Sequence, residues 1–157
     1  MFNPIVQVKQ LHLDAIIPKY ATKGSAAIDL HAYITTSNGR HSLDPGDQFT
    51  FSTGISLWLQ DPSICMMIIP RSSLGTNGLV LAHGSGLVDS DYQGEIKVPL
   101  LNRLNREPLV NQPINIQHGD RIAQAVLLPC LKAKFEFVEA FTEATARGEG
   151  GFGSTGK

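Results

Sequence analysis

Apolar and polar residues alternate along residues 5–12 (IVQVKQLH), a period of two that predicts a strand with one face toward a core. A second run, FTFSTGISLWL at 49–59, follows the turn DPGD at 44–47. SICMMIIP at 63–70 is unbroken apolar, as a strand covered on both faces would be. The stretch 78–102, GLVLAHGSGLVDSDYQGEIKVPLLN, reads as hairpin-rich, and INIQHGDRIAQAVLLP at 114–129 as strand, turn and strand. KFEFVEAF at 134–141 completes the set of strands. Many short strands at near-regular spacing predict an antiparallel sandwich or barrel.

Helical periodicity is poor throughout. The best short helix is SSLGTNG at 72–78, opening on Ser72 as N-cap. TTSNGRHSLD at 35–44 and LNREPLVNQ at 104–112 read as surface loops, and beyond Phe141 the chain turns polar and glycine-rich, off the core. The organisation expected is one β domain over 1–141 and a flexible C-terminal arm over 142–157.

Composition narrows the classes of function. A chain of 157 residues suits one domain with its own core, and 42% apolar content suits a globular one. A formal net charge of −1 argues against general nucleic-acid binding, which relies on neutralising phosphates. Cys65 and Cys130 each sit in an apolar run and read as buried free thiols. Neither a secretory signal nor a membrane-spanning apolar run is seen, so a soluble protein of a reducing, cytoplasmic compartment is expected.

Several stretches could carry chemistry. PRSSLG at 70–75 sets a basic residue and two hydroxyls at the start of a short helix, where backbone N–H groups favour an anion, although an ordinary capped turn has the same spelling. GSAAIDL at 24–30 holds Asp29 between apolar residues, as a solvent-facing acid or a carboxylate near metal-bound water. In GLVDSDYQGEIKV, 86–98, Asp89 and Asp91 share a face if the segment is extended; they are either a general base with its neighbour or plain turn chemistry. HGDRIAQAVLLP, 118–129, has Arg121 and Gln124 as polar interruptions in a strand. The last seven residues spell G-x-x-x-x-G-K, but no helix follows Lys157 to complete a phosphate-binding loop.

GSAAIDL, PRSSLG, GLVDSDYQGEIKV, GDRIAQAVL and RGEGGFGSTG together resemble, in order, the five motifs of the homotrimeric deoxyuridine triphosphatases, the dUTPases. The resemblance implies a distorted jelly-roll-like antiparallel β barrel, all-β apart from one short helix, assembled as a homotrimer with active sites at subunit interfaces. It implies hydrolysis of dUTP to dUMP and pyrophosphate, with Mg²⁺ held mainly by the substrate phosphates and reached by Asp29 through water. By position in the motifs, Asp89 would activate the attacking water, and Tyr92 would exclude a ribose 2′-OH. Gly86, Leu87, Val88 and Lys97 would line the uracil slot, with His83 where several bacterial members carry Asn. Arg71, Ser72, Ser73 and Gln124 would contact phosphates. Arg147 would clamp the terminal phosphate and Phe152 stack on the base, both from the mobile arm.

Two other readings compete. A dCTP deaminase would share the fold, but such enzymes carry an arginine where Thr76 stands and a glutamate near Pro99. A non-catalytic, dUTPase-like regulator would be expected to lose Asp89 or the arm, and both are present.

Overall fold

The computed structural model describes residues 4–104 and 112–150. Within them the chain forms ten strands and one short helix. In chain order these are β1 (Gln7–Gln10), β2 (Ile28–His31), β3 (Arg40–Leu43), β4 (Gln48–Trp58), β5 (Ile64–Ile69), α1 (Ser72–Thr76), β6 (Leu79–Leu81), β7 (Gly86–Val88), β8 (Glu95–Asn102), β9 (Ile114–Gln117) and β10 (Arg121–Pro129). All strand pairs are antiparallel. One four-stranded sheet runs β1-β4-β8-β6, a second β2-β10-β5-β7, and β3 pairs with β9 alone. The all-β expectation holds, with the sheets left open among the described residues rather than joined into one closed barrel.

The core lies between the two larger sheets and follows from the period of two. On β8, Ile96, Val98 and Leu100 are buried; they meet Phe51, Ile55 and Leu57 from β4 and Leu30, Met66, Ile68 and Ala125 from the second sheet. Asn102 at the end of β8 is fully buried yet satisfied: its amide donates to the Leu43 carbonyl and its Oδ1 accepts from Leu104 N–H. A buried amide without such partners would be costly.

Three sequence expectations are corrected. Residues 134–141 form no strand. Phe135, Phe137 and Phe141 are 91–94% exposed, because no described strand of this chain offers them hydrogen-bond partners. Within the supposed loop 35–44, residues Arg40–Leu43 form β3, whose one fully inward side chain, Leu43, anchors it to the core. Helix α1 is not capped by Ser72. Its N-cap is Arg71, in extended conformation with no side-chain cap, since a guanidinium has no acceptor to offer the helix N–H groups; it donates to Asp29 instead. The stretch 104–112 lies almost wholly outside the described residues. Both cysteines are free; Cys65 is buried, whereas Cys130 is only partly so.

The β4–β8 ladder is irregular at one place. It slips between Ser52 and Ser56, which face Lys97 and Glu95, so residues 53–55 bulge from the pairing. Gly54 sits in that bulge at φ +71°, and a Cβ there would lie 2.7 Å from the Ala15 Cβ and 3.1 Å from the Tyr33 ring. Left-handed backbone costs a side-chain-bearing residue about 1–2 kcal/mol, and the clash adds to it. Gly54→Ala should therefore lower the stability by roughly 2 kcal/mol or more, read as a fall in the midpoint of a urea or thermal melt.

Candidate functional site

The segment from β7 to β8 looks like a hairpin in sequence but is not paired as one. β7 is the outermost strand of the second sheet, bonded to β5 through Met66, Met67 and Ile68. β8 belongs to the first sheet, and β6 pairs only its Leu100–Asn102 end. The two strands therefore diverge, and each presents a main-chain edge that no strand among the described residues covers: β7 along its length and β8 over 95–98. Between them is a recess lined by His83, Gly86, Leu87, Val88, Asp89, Tyr92 and Lys97, together with Ile68, Glu95 and Ile96. Its lining mixes apolar side chains with polar and charged ones, the usual character of a small-molecule site.

The turn 89–94 brings Asp89 and Tyr92 to the lining of this recess. Tyr92 N–H donates to the Asp89 carbonyl, closing the turn. The Asp89 carboxylate makes no hydrogen bond among the described residues and lines the recess, whereas Asp91 does not line it. The Tyr92 ring folds back over Gly94, and its hydroxyl donates to the Glu95 carbonyl at 3.0 Å. A Cβ at Gly94 would collide with that hydroxyl and lie 2.6 Å from ring carbon Cζ, so glycine is needed for the ring to take this position.

A second recess lies on the opposite face of the β2-β10-β5-β7 sheet. Its lining includes Asp29, Arg71, Ser72, Ser73, Arg121 and Gln124. Register explains the cluster: Gln124 of β10 stands opposite Asp29 of β2 and Ile69 of β5, so all three side chains share one face. Asp29 holds two arginines, with Oδ1 accepting from Arg71 Nε at 2.9 Å and Oδ2 lying 3.6 Å from Arg121 Nη1. Gln124 Nε2 donates to the Pro70 carbonyl at 2.9 Å, which fixes the chain just before α1. The hydroxyls of Ser72 and Ser73 make no hydrogen bond among the described residues. Two guanidiniums and two hydroxyls around one acid make a net cationic pocket suited to an oxyanion.

The two recesses share no lining residue. Adjacent Ile68 and Ile69 point one into each, as neighbours in a strand must. So the structure gathers His83, Gly86, Leu87, Val88, Asp89, Tyr92 and Lys97 on one side and Asp29, Arg71, Ser72, Ser73 and Gln124 on the other. Arg147 joins neither; its Nε donates to the Gly150 carbonyl at 2.8 Å, within its own exposed segment. Phe152 lies outside the described residues.

Sequence reading singled out Arg121 without its partner, and it passed over Glu95 in the first recess and His31, which lines neither recess. Arg121 is the second partner of Asp29. Glu95 enters the first recess from β8, where its acidic side chain passes for a solvent-facing position in the alternation. His31, two residues from Asp29 on β2, has a buried Nδ1 with no protein partner among the described residues. Burial pushes its proton affinity below the ordinary imidazole range; Asp29 opposes the shift, and Arg121 and Arg71 add to it.

Comparison with known proteins places this architecture. The dUTPase family model matches residues 14–156. The deoxyuridine 5'-triphosphate nucleotidohydrolase of Neisseria meningitidis serogroup A is 46% identical over 142 residues, covering 90% of this chain and 88% of that protein. The protein of that name from Glaesserella parasuis is 45% identical over 150 residues, covering 95% and 93%. Among solved structures, the dUTPase of Staphylococcus bacteriophage 80alpha with dUPNHPP superimposes with a TM-score of 0.84 at 24% identity, covering 98% of this chain and 99% of that one. A mutant dUTPase from phage phi11 of S. aureus, described as coordinating a structural Mg(II) ion, has a TM-score of 0.75 at 19% identity, covering 88% and 99%. With its motifs distributed over two recesses of this fold, the chain belongs to the dUTPase family.

Proposed function

We propose that this protein hydrolyses dUTP to dUMP and pyrophosphate, so that uracil is kept out of DNA and dUMP is supplied for thymidylate synthesis. The observation that carries the reading is the slot between β7 and β8, whose two open main-chain edges offer fixed donors and acceptors to the rim of a flat base. Uracil would enter edge-on, read by backbone around Gly86, Leu87, Val88 and Lys97, with His83 at the mouth. The deoxyribose would rest on the Tyr92 ring, which is held too firmly by Gly94 and the Glu95 carbonyl to yield to a 2′-OH. Asp89, with no competing hydrogen bond among the described residues, would take the proton of the water that attacks the α-phosphorus in line, and pyrophosphate would leave.

The phosphates would lie against Arg71, Ser72, Ser73 and Gln124, whose cationic recess neutralises charge that develops in the reaction. That recess opens on the other face of the sheet from the slot, so one chain does not offer both to one nucleotide. A homotrimer resolves this by setting the slot of one copy against the phosphate recess of the next. The exposed Leu131, Phe135, Phe137 and Phe141 support the same conclusion, being a row of apolar side chains fit to be covered by another copy. The arm over 142–157 would continue into a neighbour's site, with Arg147 on the terminal phosphate and Phe152 on the base.

Mg²⁺ fits this arrangement only loosely. Among the described residues no group of three or more acidic, His or Cys side chains could hold it. Both Asp29 oxygens already face guanidiniums, which leaves contact through water. That is compatible with an ion that keeps its waters and binds mainly to phosphate. When bound, it would supply charge neutralisation on the phosphate oxygens.

Among the described residues no helix is long and apolar enough to cross a membrane. The reaction's place would be the cytoplasm, or the host cytoplasm if a phage encodes the chain. The deaminase alternative gains nothing from the slot, since Thr76 and Pro99 remain where deaminases carry their arginine and glutamate.

Pyrophosphate release tests the proposal with dUTP, UTP, dTTP and dCTP, each with and without Mg²⁺. Turnover should be confined largely to dUTP, and brisk turnover of UTP would overturn the role given to Tyr92. Asp89→Asn should lose about 10²- to 10⁴-fold in kcat while still binding dUMP. A chain truncated before Arg147 should also bind dUMP but lose most of its turnover; full activity would remove the arm from the mechanism.

A further inference from the structure

We infer that Glu95 is the positioning residue that sets the sugar-discriminating ring of Tyr92, an inference that rests on the dUTPase reading above. Glu95 is the first residue of β8 and the joint between the slot and the β4 bulge. Its main-chain carbonyl accepts the Tyr92 hydroxyl at 3.0 Å. Its side chain reaches from the edge of the recess to the bulge. Oε1 accepts the Gly54 N–H at 3.0 Å, and Oε2 accepts the Ser52 hydroxyl at 3.3 Å and lies 3.7 Å from Lys97 Nζ.

The ladder skips residues 53–55, so the carboxylate serves Gly54 as acceptor where the strand supplies none. It is only 19% exposed, in contact with the recess that Lys97 also lines. A part-buried carboxylate satisfied by an amide, a hydroxyl and an ammonium is held in one place. The carbonyl on the same residue is thereby held too, and with it the tyrosine hydroxyl. Ser56 Oγ donates to the Gln93 carbonyl and ties down the preceding residues of the turn, so Glu95 and Ser56 together pin both ends of Gln93–Glu95 to β4.

Steric exclusion of a 2′-OH works only if the excluding ring cannot move aside by a few tenths of an ångström. Gly94 lets the ring fold back but cannot by itself hold it there. The pin through Glu95 does so, and its effect should therefore show in discrimination between sugars more than in the chemical step.

The test compares kcat and KM for dUTP and UTP in the wild-type protein, Glu95→Gln and Glu95→Ala, each checked for folding by its thermal melt. Gln keeps an acceptor oxygen for Gly54 and should hold the dUTP-to-UTP ratio of kcat/KM within about threefold of wild type, even though it gives up the charge opposite Lys97. Ala should cut that ratio by about tenfold or more, chiefly through a lower KM for UTP as the ring yields to the 2′-OH, with kcat for dUTP changed much less.

A folded Glu95→Ala that keeps the wild-type ratio overturns the inference, and so does a Glu95→Gln that loses as much as Ala. Should Glu95→Ala fail to fold, Glu95→Asp carries the same comparison, because the shorter side chain does not reach Gly54 and Ser52 together. Wild-type protein that leaves dUTP intact would instead overturn the dUTPase reading itself, which the parallel wild-type assay separates from the role of Glu95.

Discussion

The structure depends on β7 and β8 not pairing with each other. Strands joined by a six-residue turn would ordinarily close a ladder, and a closed ladder has no room for a ligand. Here β5 takes β7 into one sheet while β4 and β6 take β8 into the other, so the sandwich itself pulls the turn open. Main-chain groups of the opened turn and β8 are met in part by side chains: Ser56 on the Gln93 carbonyl and Tyr92 on the Glu95 carbonyl. The groups left over face the recess, where a base with its own donors and acceptors would complete them. Recognition by main chain suits a site that must refuse close analogues, because backbone positions are fixed by the whole sheet and a misfit leaves buried polar groups unpaired.

The second constraint is the alternation of the strand. Ile68 and Ile69 cannot face the same way, so the two recesses fall on opposite sides of one sheet. Within one chain the parts of the proposed catalyst are separated by the thickness of the sheet. Under the proposed function, association of copies would be a condition of activity and not an addition to it. The same view accounts for the 130–150 segment, which adds no strand to its own chain yet carries Leu131 and three phenylalanines almost fully exposed.

Much of the fold was legible because the core strands obey simple periods. β4, β5, β8 and β10 lie where the alternating and unbroken apolar runs placed them. β3 was not legible, since its pattern Arg-His-Ser-Leu has one large apolar residue and its partner β9 is far away in sequence. KFEFVEAF misled for the opposite reason: its alternation is real, but a strand also requires a partner, and none of the described strands takes it. The acids and hydroxyls of the two recesses could be found from motif order. Their division between two faces could not, because it depends on register. Neither could Glu95, whose importance comes from a bulge in β4, far earlier in the chain.

The claim that one nucleotide draws Asp89 and Arg71 from different copies is tested most directly by complementation. Chains carrying Asp89→Asn and chains carrying Arg71→Ala, each inactive alone, are co-expressed or refolded together and assayed for pyrophosphate release from dUTP. If the site is shared, random assembly gives roughly a quarter of the sites both native side chains, and activity should return toward that fraction of wild type. If the mixture does no better than the two variants measured separately, Asp89 and Arg71 serve the same chain and the site is not shared between copies.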